Sequence, residues 1–148
     1  MVYRSGMARA VDREYSVALQ RAARGAKTAS ADALRALGVH IGQNFLLDQL
    51  WQQDALSTGE LARRLEVEVP TITRMTQRME AAGLVTRVRD ETDRRVVRIE
   101  LTDLGRSLRT RVPEALDAVS ARALEGLSDE ECRQLIRLLE HVAGNLRA

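Results

Sequence analysis

The sequence has 148 residues, 45% of them apolar, 30% charged and 3% aromatic, with a net charge of +2, enough chain for one aliphatic core of ordinary domain size. No run reaches the ~18–20 apolar residues of a membrane helix and no apolar stretch follows a basic start, so no membrane partner or leader is expected and the cytoplasm is the expected compartment. A single cysteine, Cys132, excludes a disulfide framework; the two separated histidines, His40 and His141, predict no bound metal, and nothing in the chain calls for a cofactor.

The first helix is predicted over about residues 12–37, from the helical spacing of Tyr15, Ala18, Ala22 and Ala26 and then of Ala33, Leu34 and Leu37. Gly25 and Thr28-Ala29-Ser30 predict a bend or break within it, and Gly38 its end. A second helix is expected over residues 41–52, with Ile41, Phe45, Leu46, Leu50 and Trp51 on its apolar side. Ser57 and Glu60 then form a capping box, in which the hydroxyl accepts from a backbone N–H and the carboxylate reaches back, with Leu56 and Leu61 at the staple positions. A short helix therefore runs from Thr58 to about Leu65. Glu66-Val67-Glu68 is a tight connection. Pro70, whose missing N–H costs nothing in a first turn, opens another helix over residues 69–82, which stops at Gly83.

After Gly83 the period drops to two. Val85, Arg87 and Arg89 alternate with Thr86 and Val88, and Val97, Ile99 and Leu101 with Arg98 and Glu100. The polar residues 90–94 between them make this a β-hairpin. Thr102 caps a helix over residues 103–124, which Pro113 is predicted to kink or interrupt. Ser128 and Glu131 repeat the capping box after Gly126, and a last helix to about Leu146 carries the apolar stripe Leu135, Ile136, Leu139, Val142 and Leu146. The predicted fold is mainly α: about six helices and a small β-hairpin wing.

Two short helices joined by a tight turn make a helix-turn-helix candidate. On the second, Ile72, Met75, Met79 and Ala82 predict a buried stripe. The opposite face carries Thr71, Thr73, Arg74, Gln77 and Arg78, with no carboxylate until Glu80. Hydroxyl, amide and guanidinium groups are those that reach phosphates and base edges in a major groove. The leading end of such a helix meets the bases, which assigns Thr71, Thr73 and Arg74 to base edges and Arg78 to a phosphate. The hairpin makes the motif winged, and Arg87, Arg89, Arg94, Arg95 and Arg98 suit a narrow minor groove. Asp93 is expected to orient the guanidinium of Arg95 across the turn. Charge follows the same division: residues 58–111 hold twelve arginines against nine carboxylates, and residues 112–148 four against seven.

Leu37-Gly38-Val39 with Gln43, Gly59-Glu60-Leu61-Ala62-Arg63-Arg64-Leu65, Thr71-Ile72-Thr73-Arg74, Gly83-Leu84-Val85 and Asp93-Arg94-Arg95 followed by Leu101-Thr102 and Gly105 together resemble the MarR family of transcriptional regulators, in register from about Leu37 to Arg111. The resemblance implies a winged-helix homodimer on pseudo-palindromic double-stranded DNA, most often a repressor, that lets go when a small ligand or oxidant shifts its shape. It carries the recognition-helix contacts onto Thr71, Thr73, Arg74 and Arg78, the minor-groove arginine onto Arg95 and its partner onto Asp93. The family often has a polar residue before the recognition helix, where this chain has Glu68-Val69.

Residues 1–40 and 103–148 are expected to supply dimerisation helices, because their apolar stripes need a partner, while residues 41–102 form the DNA-binding lobe. His40, Phe45 and Trp51 are candidates for lining a pocket for a small aromatic or anionic effector. No Gly-rich phosphate loop, nucleophile elbow or zinc-binding helix motif points to an enzyme. A winged-helix dimer that binds proteins and does not read DNA sequence is the alternative.

Overall fold

The computed structural model describes residues 6–147, so residues 1–5 and 148 of the expected dimerisation segments lie outside the described residues. Helix α1 spans Gly6–Arg35 and α2 Gln43–Gln52. A two-residue strand, β1 (Leu56–Ser57), leads into α3 (Thr58–Arg64) and α4 (Val69–Ala81). Strands β2 (Val85–Arg89) and β3 (Val97–Leu101) form the hairpin, followed by α5 (Asp103–Ala123) and α6 (Asp129–Leu146). No helix among the described residues is long and apolar enough to cross a membrane.

Both capping boxes form as their spacing predicts. The Glu60 N–H donates to the Ser57 hydroxyl at 3.1 Å while the Ser57 N–H donates to the Glu60 carboxylate at 2.8 Å; Ser128 and Glu131 repeat the exchange. The hairpin lies where the period changes, with Val85 opposite Leu101 and Arg89 opposite Val97. It is joined by a strand that two residues could not announce: β1 pairs antiparallel with β3, Leu56 opposite Ile99, giving a three-stranded sheet in the order β1-β3-β2.

The core is aliphatic. Leu34 from α1, Leu46, Leu47 and Leu50 from α2, Leu61 from α3, Ile72 and Met79 from α4, Ile99 from β3 and Leu108 and Val112 from α5 are all buried. Each such leucine or isoleucine adds roughly 1.5–3 kcal/mol through removal from water. None of α6 is buried.

Several expectations need correction. Helix α1 begins earlier and runs unbroken past Gly25 and Thr28-Ala29-Ser30, since a glycine inside a helix costs only about 1 kcal/mol. Helix α5 continues through Pro113, an exposed position where the missing N–H loses one bond on the outer face. Ile41 and Phe45 are exposed rather than on the core side of α2. On α4, Ala82 is exposed and Thr76 takes the buried place, its hydroxyl satisfied by the Thr73 carbonyl at 3.1 Å.

The base of the hairpin, the end of α4 and the start of α5 meet at Thr102. Its hydroxyl donates to the Gly83 carbonyl at 2.6 Å and accepts from the Gly105 N–H at 3.0 Å. Its own N–H donates to the Leu84 carbonyl at 3.1 Å. Gly105 makes this close approach possible: a Cβ there would stand 2.1 Å from the Leu84 carbonyl oxygen. The Gly105 carbonyl in turn accepts from the Trp51 indole N–H at 2.9 Å, which ties in α2. Gly105→Ala is therefore expected to destabilise by at least ~1–3 kcal/mol in urea unfolding. Gly144→Ala, in a helix with open space around the added carbon, is expected to be neutral or stabilising by roughly 0.4–1 kcal/mol. Equal midpoints for the two variants would contradict the junction.

Candidate nucleic-acid interface

The turn between α3 and α4 is closed by the Val67 N–H donating to the Ala62 carbonyl at 3.0 Å, with Glu66 in the left-handed region at φ 54°. Buried Ile72 and Met79 set the rotation of α4 about its axis. That rotation leaves Arg74, Gln77 and Arg78 exposed and Thr71 and Thr73 half-buried. Neither Arg74 nor Arg78 has a carboxylate partner among the described residues. The nearest acid along the helix, Glu80, is turned to the sheet: it accepts from the Arg87 N–H at 3.1 Å and lies 3.8 Å from the Arg87 guanidinium. Thr73 donates its hydroxyl to the Val69 carbonyl at 3.0 Å, so its proton is held within the helix.

The hairpin arginines divide into two groups. Arg94 and Arg95 are exposed at the tip with no carboxylate partner among the described residues. Arg98, expected on DNA, has its guanidinium engaged within the protein. Its Nε donates to Asp90, its Nη1 donates to the Ala55 carbonyl at 3.0 Å and lies 3.9 Å from Glu60. One guanidinium thus spans the hairpin tip, the loop before β1 and the first turn of α3. Arg87 is likewise engaged by Glu80, and the Arg89 Nη1 donates to the Arg94 carbonyl at 3.5 Å.

Asp90 organises the tip. One of its oxygens accepts from the Thr92 N–H at 2.8 Å, the Thr92 hydroxyl at 2.5 Å and the Asp93 N–H at 3.0 Å. The Thr92 hydroxyl foremost, then the Asp93 N–H and the Arg98 guanidinium, hold the Asp90 carboxyl well below its usual range, and Asp90 raises Arg98 in return. Asp93 takes a different part from the one expected: it accepts from the backbone N–H of Arg95 at 3.0 Å and shapes the turn, leaving the guanidinium alone. Glu60 is also lowered, chiefly by the Ser57 N–H and hydroxyl, and Glu131 by those of Ser128. A carboxylate at position 90 with an arginine eight residues on, across a hairpin whose register is set by Val85 opposite Leu101, was the available signal for the strut.

His40, Phe45 and Trp51 do not share a pocket. His40 lines a cavity of about 610 Å³ with Thr71, Arg74, Met75 and Arg78. Phe45 lines a second, of about 380 Å³, with Leu65, Val67 and Met75. Trp51 lines a third, of about 290 Å³, with Asp54 and Arg106, which are joined at 2.7 Å. The cavities at His40 and at Phe45 share Met75, while Trp51 lines the one at Arg106. Among the described residues no three His, Cys, Asp or Glu side chains gather where they could hold a metal ion.

A family model described as "MarR family" matches residues 40–97. The HTH-type transcriptional repressor MdtR of Bacillus subtilis (strain 168) is 32% identical over 112 residues, covering 76% of this chain and 72% of MdtR. Among solved structures, the YusO protein from Bacillus subtilis matches with a TM-score of 0.76 at 28% identity, over 95% of this chain and 99% of YusO. Reduced AbfR, solved bound to DNA, matches in fold with a TM-score of 0.65 at 23% identity, over 96% of this chain and 98% of AbfR.

Because folding lowers the Asp90, Glu60 and Glu131 carboxyls, their contribution to stability is complete above the ordinary values of 3.8 and 4.5. It is lost as pH falls below that range toward the depressed values. Urea midpoints are expected to be level from neutral pH to about 5 and to decline below it. Asp90→Asn and Glu60→Gln should start lower and decline less steeply. Acid slopes identical to the parent's would show that these carboxylates do not hold the fold.

Proposed function

The chain belongs to the MarR family of transcriptional regulators, and on that premise we propose that it is a cytoplasmic, homodimeric repressor that binds a pseudo-palindromic duplex and is released by a small anionic ligand. The observation that carries DNA binding is the outer face of α4: Arg74, Gln77 and Arg78 stand exposed while the nearest acid, Glu80, is spent on Arg87. Thr71, Arg74 and Gln77 take the base edges, and Arg78 a phosphate. Thr73 contributes without its proton, which the helix already uses. Arg94 and Arg95 take the minor groove, on a wing that Asp93 shapes and Arg98 braces. The relatives of the chain are named as regulators, MdtR as a repressor, and AbfR, a protein of this fold, has been solved on DNA.

The dimer is supported by apolar surface that one copy leaves in water. Leu135, Ile136, Leu138 and Leu139 on α6 and Val11, Tyr15 and Val17 on α1 are exposed, apolar surface of the kind that association covers. Residues 1–40 and 103–148 pair across a two-fold axis, and residues 41–102 carry the duplex-binding surface. That symmetry sets the two α4 helices about one helical turn apart, roughly 34–36 Å.

The ligand site is the cavity at His40. Its volume of about 610 Å³ lies in the range that takes small molecules, and Arg74 and Arg78 give it two guanidinium groups. A carboxylate bound there competes directly for the cations that DNA needs.

Affinity for duplex from the chain's own upstream region, followed by fluorescence anisotropy, is expected to fall steeply with salt. Arg78→Ala removes one phosphate contact from each copy, so it should lower affinity for every sequence and reduce the slope of log K against log salt by about 1.8. Arg95→Ala should weaken binding in the same way. A salt-independent affinity, or variants that bind like the parent, would contradict this reading.

A further inference from the structure

We propose that the leading turn of α4 reads thymine, by van der Waals contact of Val69 and the γ-methyl of Thr73 with the C5-methyl group in the major groove. The proposal rests on the reading of α4 as the element that enters a duplex. Val69 is 44% exposed although it opens a helix packed on the core, and Pro70 beside it is exposed too. Neither side chain carries a hydrogen-bond donor, and Pro70 has no backbone N–H. The Thr73 hydroxyl gives its proton to the Val69 carbonyl at 3.0 Å, which leaves the methyl as the branch free to meet a partner.

Glu68 adds discrimination. It precedes the helix without making a cap bond to it, and its side chain is exposed. A carboxylate only accepts hydrogen bonds, and the guanine edge in the major groove presents two acceptors, O6 and N7, so guanine beside Glu68 is repelled. The donors of α4 lie elsewhere: Thr71, Arg74 and Arg78 face the His40 cavity, and Gln77 sits one turn beyond Thr73. The exposed apolar surface of Val69 and Pro70, beside an unpaired acceptor in Glu68, disfavours guanine at that position. The base-pair feature that fits it is the methyl of thymine. A duplex, rather than another apolar surface, is the occupant because Arg74 and Arg78 on the same helix carry unpaired positive charge.

The test uses the full-length protein and a duplex from its own upstream region. Each thymine is replaced in turn by uracil, which removes the methyl and nothing else. Uracil at one thymine in each half of the site is expected to weaken binding by about fourfold, the effect of one buried methyl group. Val69→Ala combined with Thr73→Ser should bring the uracil-to-thymine ratio to about one, with the melting temperature confirming that the variant is folded. Arg78→Ala should weaken both duplexes alike and keep the ratio. Tight binding indifferent to every uracil replacement, or a ratio that survives the double variant, would overturn the proposal and leave DNA binding standing. Failure to bind any duplex would overturn the proposal and the reading beneath it together.

Discussion

The contact on which the arrangement depends is the approach of α5 to the Leu84 backbone. Gly105 has no side chain to separate them, and Thr102 bonds to both sides of the gap. At this point α4 has just ended, the hairpin begins and ends, and α5 starts. The indole of Trp51 adds α2 through the Gly105 carbonyl. Four elements are thus fixed to one another by short backbone-directed bonds rather than by side-chain packing alone. A rotation of α5 therefore carries α4 and the wing with it.

A second constraint is the disposition of charge. The chain holds 22 arginines, yet those around the hairpin are not equivalent. Arg98 and Arg87 are bound to Asp90, Glu60 and Glu80 and brace the wing against α3 and α4. Arg74, Arg78, Arg94 and Arg95 are left to face outward. Three nearby carboxylates, Glu60, Glu80 and Asp90, are engaged as struts. Asp54 acts similarly on the other edge, accepting from the Leu101 N–H at 2.9 Å and from Arg106 at 2.7 Å.

Features set by residues three or four apart were legible in the sequence. Both capping boxes, the stop at Gly83 and the hairpin follow from local chemistry, and so does the helix-turn-helix. Features set by a distant partner were not. Leu56 and Ser57 become a strand only because Ile99 and Arg98 lie beside them. Arg98 reads as one more cation until Asp90 folds back across the hairpin. Thr76 reads as a surface hydroxyl until its bond to the Thr73 carbonyl makes burial tolerable. His40, Phe45 and Trp51 line three different cavities because aromatic character along a segment does not say which face each residue occupies. Asp93 was placed in the right turn, but its bond goes to the chain rather than to a guanidinium.

The proposed homodimer sets two copies of one cationic helix face at a fixed spacing on a single duplex. Hydroxyl-radical footprinting of the complex reads that spacing directly. Two protected tracts centred about 10 base pairs apart, flanked by weaker minor-groove protection, are expected. A single tract, or a cleavage pattern unchanged by saturating protein, would contradict this arrangement.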